Sequence, residues 1–131
     1  MNKFIWQVRV YYEDTDAAKL VYYANYLKFM ERARTEWLRA LGFEQRPLRQ
    51  EYGVVFVVRQ ANVDFLKPAV FDDVLDVTVE MSQLGKASIQ LNQKIMRNNS
   101  VLCTGFIKLA CINITTLRPQ AIPSILLKVL N

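Results

Sequence analysis

The chain contains no histidine, and that absence removes more chemistry than any residue present supplies. Ser-His and Cys-His nucleophile pairs, histidine general bases and nearly every catalytic zinc constellation need an imidazole. If the chain is an enzyme, a carboxylate must handle its protons. Cysteine is scarce too. Cys103 and Cys111 are its two thiols, too far apart along one extended stretch to bridge and not spaced as a CxxC pair, so both are expected to be buried. No apolar run approaches the ~20 residues of a membrane span, and the opening MNKFIWQVRV lacks the uninterrupted apolar core of a signal peptide. A cytoplasmic protein is expected. No Lys/Arg-rich run is present either, which argues against a nucleic-acid tail despite 17 basic residues against 12 acidic ones. The net charge of +5 still favours an anionic partner such as a phosphorylated cofactor or an acidic lipid surface.

What is present is apolar and periodic. At 131 residues and 52% hydrophobic content, residues 1–131 fit one compact domain, with no internal repeat and no low-complexity linker. Lys3 to Glu13 alternates, with Phe4, Trp6, Val8, Val10 and Tyr12 on one face, and reads as a first strand. An acidic turn follows and leads into the one long helix. Counted from Tyr26 at 3.6 residues per turn, Phe29, Met30, Ala33, Trp37, Ala40 and Leu41 fall on its apolar side, and Gly42 ends it. Phe43 to Gly53, interrupted by Pro47, reads as a connection with one short helical turn. Val54 to Phe65 opens with five apolar residues, the pattern of a strand covered on both faces and placed centrally or at an interface.

Leu66-Lys67-Pro68-Ala69 breaks that strand, because proline cannot continue a ladder. Asp73 to Gln83 and Ala87 to Arg97 alternate around a Leu84-Gly85-Lys86 turn, and Asn98-Asn99 turns the chain into Val101 to Ile114. The tail holds Pro119 and Pro123, and Ser124 is placed to cap a short terminal helix. That helix packs on the sheet or on a second subunit, and at most touches a membrane surface peripherally. One helix covers one face of a five-stranded antiparallel sheet, so the uncovered edges predict a homo-oligomer.

The start of the long helix presents unpaired N–H groups and a partial positive charge, which gives Asp14 or Asp16 an electrostatic reason to stand just upstream. On residues alone, Asp16 reads as a helix cap or as a catalytic carboxylate. Glu31 either orients a site or pairs with Arg34 or Arg32. Arg59, Lys86 and Arg118 are candidates for holding phosphate.

The segments Val10 to Asp16 (VYYEDTD), Val21 to Tyr26 (VYYANY) and Phe29 to Arg34 (FMERAR) resemble the signature of hotdog-fold acyl-CoA thioesterases of the 4-hydroxybenzoyl-CoA thioesterase class. More narrowly, they are similar to the YbgC-type, Tol-Pal-associated branch. Phe56 to Arg59, Val63 to Phe65, Pro68-Ala69 and Asp72-Asp73 extend the likeness over nearly the whole chain. The resemblance implies an α+β hotdog fold: a long central helix wrapped by a curved five-stranded antiparallel sheet, with sites between paired subunits in a homodimer or homotetramer. It implies acyl-CoA hydrolysis without metal or resident cofactor, coenzyme A being part of the substrate. Asp16 matches the catalytic aspartate, as nucleophile or as base for water, and the backbone N–H of Tyr23 matches the oxyanion donor.

Two departures stand out. The branch usually carries histidine where this chain has Tyr23, and a glycine expected near Lys19 is replaced by Ala18-Lys19. Hotdog dehydratases pair a histidine with a carboxylate, which this chain cannot do. Two alternatives remain: a non-catalytic module of the same fold that binds acyl-CoA or an acyl carrier protein, and a basic RNA-binding domain, which salt-sensitive RNA retention would reveal.

Overall fold

The computed structural model describes residues 3–131; Met1 and Asn2, which open the N-terminal stretch read above for a leader, lie outside it. Five strands form one antiparallel sheet: β1 (Phe4–Arg9), β2 (Val54–Phe65), β3 (Val74–Leu84), β4 (Ser88–Arg97) and β5 (Ser100–Asn113), in the order β1-β3-β4-β5-β2. Three α-helices accompany them: α1 (Tyr23–Ala40), α2 (Gln45–Tyr52) and α3 (Ser124–Leu130). This is the α+β hotdog arrangement the resemblance implied. Among the described residues no helix is long and apolar enough to cross a membrane.

α1 lies on the sheet through Phe29, Met30, Ala33, Trp37 and Leu38, all buried. Facing them are Leu75, Val77, Val79, Ile89, Leu91, Ile95 and Ile107, the inward residues of alternating strands. Each large side chain so buried contributes about 1.5–3 kcal/mol. The apolar stripe of α1 is shorter than its periodicity suggested, since Ala40 is exposed and Leu38 takes the buried place. Gly42, at φ 92°, follows the helix in the left-handed region that glycine enters without a Cβ penalty. Cys103 and Cys111 are buried free thiols, and burial pushes them up to about 12 and about 11, which keeps both protonated at neutral pH.

Four expectations are corrected. β1 ends at Arg9, and Tyr12 is exposed, in a 3₁₀ turn (Tyr12–Asp14), stacked on Phe71 at 3.9 Å rather than facing the core. Phe43 to Gly53 holds a two-turn helix, because Pro47 falls in the first turn of α2, where its missing N–H costs nothing. Of the two places read for β2, the central one is removed: it is an edge strand, and Val57 and Val58 are 38% and 48% exposed. Ser124 is the first residue of α3 rather than its cap, a place taken by Pro123.

Candidate functional site: an acidic turn at the start of the long helix

Asp16 opens a tight turn. Its carbonyl accepts the Lys19 N–H at 2.9 Å, its own N–H donates to the Leu20 carbonyl at 2.9 Å, and its Oδ1 accepts the Ala18 N–H at 2.9 Å. The turn holds one carboxylate oxygen and leaves Oδ2 with no protein donor among the described residues. Closing it requires a left-handed residue, and Lys19 supplies it at φ 65°. That is where the family's glycine would cost least.

The turn is tied to the helix by Asn25, which is 9% exposed. Its Nδ2 donates to the Asp14 carbonyl at 2.8 Å, and the Tyr22 N–H donates to the same oxygen at 2.9 Å. Asp14 itself is structural, since its carboxylate accepts the Tyr11 N–H at 2.8 Å. Tyr22 is the N-cap of α1 with no capping side chain. Tyr23 is therefore the first helical residue, and its N–H has no carbonyl one turn back to bond.

Asp16, Tyr22, Tyr23, Tyr26, Phe65 and Lys67 line one pocket of about 330 Å³, with Leu20, Val21, Leu66 and Pro68 completing its wall. The aromatic rings fix one another. Tyr22 and Tyr23 have centroids 4.8 Å apart, and Phe65 meets Tyr23 at 6.1 Å and Tyr26 at 5.5 Å, edge to face. Tyr26 is buried, its hydroxyl oxygen accepts the Ala69 N–H at 2.9 Å, and burial raises its pKa. The Tyr22 phenol is also held above its usual range, first by hydrogen bonding with Tyr23, with a smaller push from the Asp16 charge. Two larger hollows, of about 420 and 470 Å³, contain neither Asp16 nor the start of α1.

The structure brings Asp16 and Tyr23 together. Arg59, Lys86 and Arg118 lie away from this pocket within the chain. Arg59 sits at the irregularity between Val58 and Gln60 on β2, while Lys86 and Arg118 lie at the other end of the sheet. There the Lys86 carbonyl accepts the Ile122 N–H and the Arg118 carbonyl accepts the Asn113 N–H. The cation at the pocket is Lys67, whose Nζ donates to Ser100 Oγ at 3.1 Å. Sequence reasoning used Lys67 only as part of a strand break. Asn25 was missed as well, and the asparagine two residues past Tyr23, at a helix start preceded by acidic residues, was the available signal. Among the described residues Glu31 forms no ion pair within 4 Å; it accepts the Thr35 hydroxyl at 2.9 Å.

Residues 18–104 match the thioesterase superfamily. The chain is 45% identical over 122 residues to the acyl-CoA thioesterase YbgC of Haemophilus influenzae, covering 93% of this chain and 90% of that one. It is 38% identical over 132 residues to the acyl-CoA thioesterase YbgC of Helicobacter pylori, covering 94% and 96% respectively. The crystal structure of a probable thioesterase from Bartonella henselae superposes with a TM-score of 0.89 at 36% identity, covering 93% of this chain and all (100%) of that one. An acidic turn set on a free helix start, in a hotdog sheet that aligns nearly end to end with these relatives, places the chain in the thioesterase superfamily, as a YbgC-type thioester hydrolase.

Proposed function

We propose that the chain hydrolyses acyl-CoA thioesters to a free acid and coenzyme A, with Asp16 and the start of α1 as the reacting site. The observation that carries this reading is the meeting of a carboxylate with a free oxygen and an unbonded helix N–H in one pocket. The thioester carbonyl oxygen faces the Tyr23 N–H, where the helix dipole stabilises the negative charge that develops during attack. The Asp16 carboxylate attacks the carbonyl carbon, or removes a proton from the water that does. The C–S bond then breaks and the thiolate of coenzyme A leaves; in the first route water cleaves the acyl–Asp16 anhydride to the free acid and supplies the thiolate's proton, and in the second Asp16 hands the thiolate the proton it took from water. A carboxylate base fits a chain without histidine, and the route uses neither a metal nor a resident cofactor.

In this reading residues 1–131 act as one cytoplasmic domain in a homodimer or homotetramer. β2 is a long open edge, and a second copy paired antiparallel along it turns the Arg118 and Lys86 end of one chain toward the Phe65 end of the other. Arg59, Lys86 and Arg118 then reach the phosphates of coenzyme A across the subunit boundary, beside Lys67. An acyl carrier protein would present the same thioester.

The test is thiol release from short aliphatic, long aliphatic and aromatic acyl-CoAs, wild type beside Asp16→Asn. A loss of about 10²–10⁴-fold in kcat/KM is expected, with circular dichroism and melting temperature unchanged. Binding of acyl-CoA by a wild type that turns over none of them would replace the hydrolase reading with the binding module.

A further inference from the structure

One wall of the Asp16 pocket is a connection rather than a helix or strand. Residues 66–73 (LKPAVFDD) lead from the end of β2 to β3, and Leu66, Lys67 and Pro68 line the pocket. A stretch with no ladder of its own takes its position from whatever bonds its backbone.

Those bonds come from two sides. On the side of the β4–β5 hairpin, the Leu102 carbonyl accepts the Leu66 and Lys67 N–H groups at 2.8 and 3.0 Å. Arg97, paired with Ser100 at the end of the same hairpin, reaches the connection through Nη1. That one nitrogen donates to Asp73 Oδ2 at 2.7 Å and to the Pro68 carbonyl at 3.3 Å. The same Asp73 oxygen accepts the Val70 N–H at 2.9 Å, so both ends of the segment 68–73 close on a single carboxylate oxygen. The Arg97 and Asp73 side chains are 34% and 16% exposed, which makes the pair firmer than one in open solvent.

On the side of the site, Ala69 is held by both of its backbone groups. Its N–H donates to the Tyr26 hydroxyl and its carbonyl accepts the Val21 N–H, each at 2.9 Å, and the residue is fully buried. Val21 stands between the two reacting groups. It bridges to Thr15, the neighbour of Asp16, and only Tyr22 separates it from Tyr23. A shift of Pro68 and Ala69 therefore shifts Val21, and with it the Asp16 carboxylate relative to the Tyr23 N–H. Lys67 has separate anchors in Leu102 and Ser100, so its part of the wall stays where it is.

Arg97 and Asp73 do not line the pocket. We propose that they are positioning residues for the hydrolysis, acting through residues 68–73 to fix the spacing of the Asp16 carboxylate and the Tyr23 N–H. This rests on the reading of the Asp16 pocket as the thioester site. Attack on the carbonyl carbon and stabilisation of its oxygen must happen at once, so a small displacement is felt in the transition state more than in binding.

The experiment uses the full chain with acetyl-, octanoyl- and benzoyl-CoA, the fastest of the three being carried through. kcat is read by thiol release and Kd by calorimetry in the Asp16→Asn background. Arg97→Met should lower kcat about tenfold and leave Kd within about twofold. Arg97→Lys should regain most of that loss, since one ammonium can donate to both oxygens as Nη1 does. Asp73→Asn keeps an oxygen for Val70 and Arg97 and should lose less than Arg97→Met. Arg97→Gln, polar and too short to reach Pro68, replaces Arg97→Met if that variant misfolds. A lowered melting temperature with kcat unchanged, a loss confined to Kd, or no recovery in Arg97→Lys overturns the proposal. So does an Asp73→Asn faster than wild type, which would mean that the Arg97 charge acts through space. An inactive Asp16→Asn beside an Arg97→Met as fast as wild type removes this proposal alone, whereas full turnover by Asp16→Asn removes the catalytic reading and the proposal with it.

Discussion

The two flanks of α1 rest on the same sheet at different depths. On one flank, over β1 and β3, the helix lies closest to the sheet, and at its middle the Met30 side chain reaches Gly105 on β5, where an added Cβ would stand 2.9 Å from the methionine sulfur. Gln93 closes that contact by donating to the Met30 carbonyl. On the other flank, toward β2, the helix and strand part company, and Leu27, Val58, Ala61 and Phe65 stay exposed. The packed flank fixes where the helix start stands, and the open flank leaves room for a substrate beside it.

Breaking the packed flank should have the largest effect on stability. Gly105→Val places two methyl groups and a Cβ against Met30, and overpacking of this kind costs about 2–3 kcal/mol. A melting temperature lower by roughly 10 °C is expected by calorimetry. An unchanged one would mean that the helix rides higher than described. The link between the flanks comes next. Asn25→Ala removes the bond to the Asp14 carbonyl and should cost about 1–2 kcal/mol. Because the same bond sets the Asp16 turn on the helix start, thiol release should fall about tenfold, a small displacement being costly to an aligned attack. Stability lost without any change in rate would separate Asn25 from the site.

The smallest effect sharpens the open side. Lys19→Gly relieves a left-handed lysine and should raise stability by about 0.5–1 kcal/mol, less than the strain itself because glycine also loosens the unfolded chain. A drop in denaturant stability would instead show that the Lys19 side chain contributes to the turn.

The fold was legible where periodicity reports on a single face. β3, β4 and α1 alternate or repeat against one core, and the bounds of β2 were read correctly at both ends. Its place in the sheet was not. Apolar residues on both faces tell of cover above and below the sheet, and say nothing of whether a strand is paired along both edges or only one. The shift at Arg59 was invisible for a related reason: strict alternation puts Gln60, Asn62 and Asp64 on the helix side, and only pairing with β5 shows Ala61, Val63 and Phe65 there. α2 was shortened because Pro47 reads as a breaker unless its position in the helix is known.

At the site, Asp16 and Tyr23 were legible through motif resemblance, backed by the logic of a helix start. Lys67 joins them only through the folding of β2 back to α1. The Arg97–Asp73 pair joins residues 24 positions apart, which no local pattern encodes.

The irregularity at Arg59 also bears on how the protein behaves in a crowded solution. A twelve-residue open edge invites any extended peptide to add on, the usual first step toward aggregation. An interrupted edge with a charged side chain at the break rejects an uninterrupted strand, whose hydrogen-bond spacing falls out of step halfway along. A strand carrying the same break, met head to tail about its middle, stays in step on both sides of it. The interruption therefore guards the edge against strands that lack it.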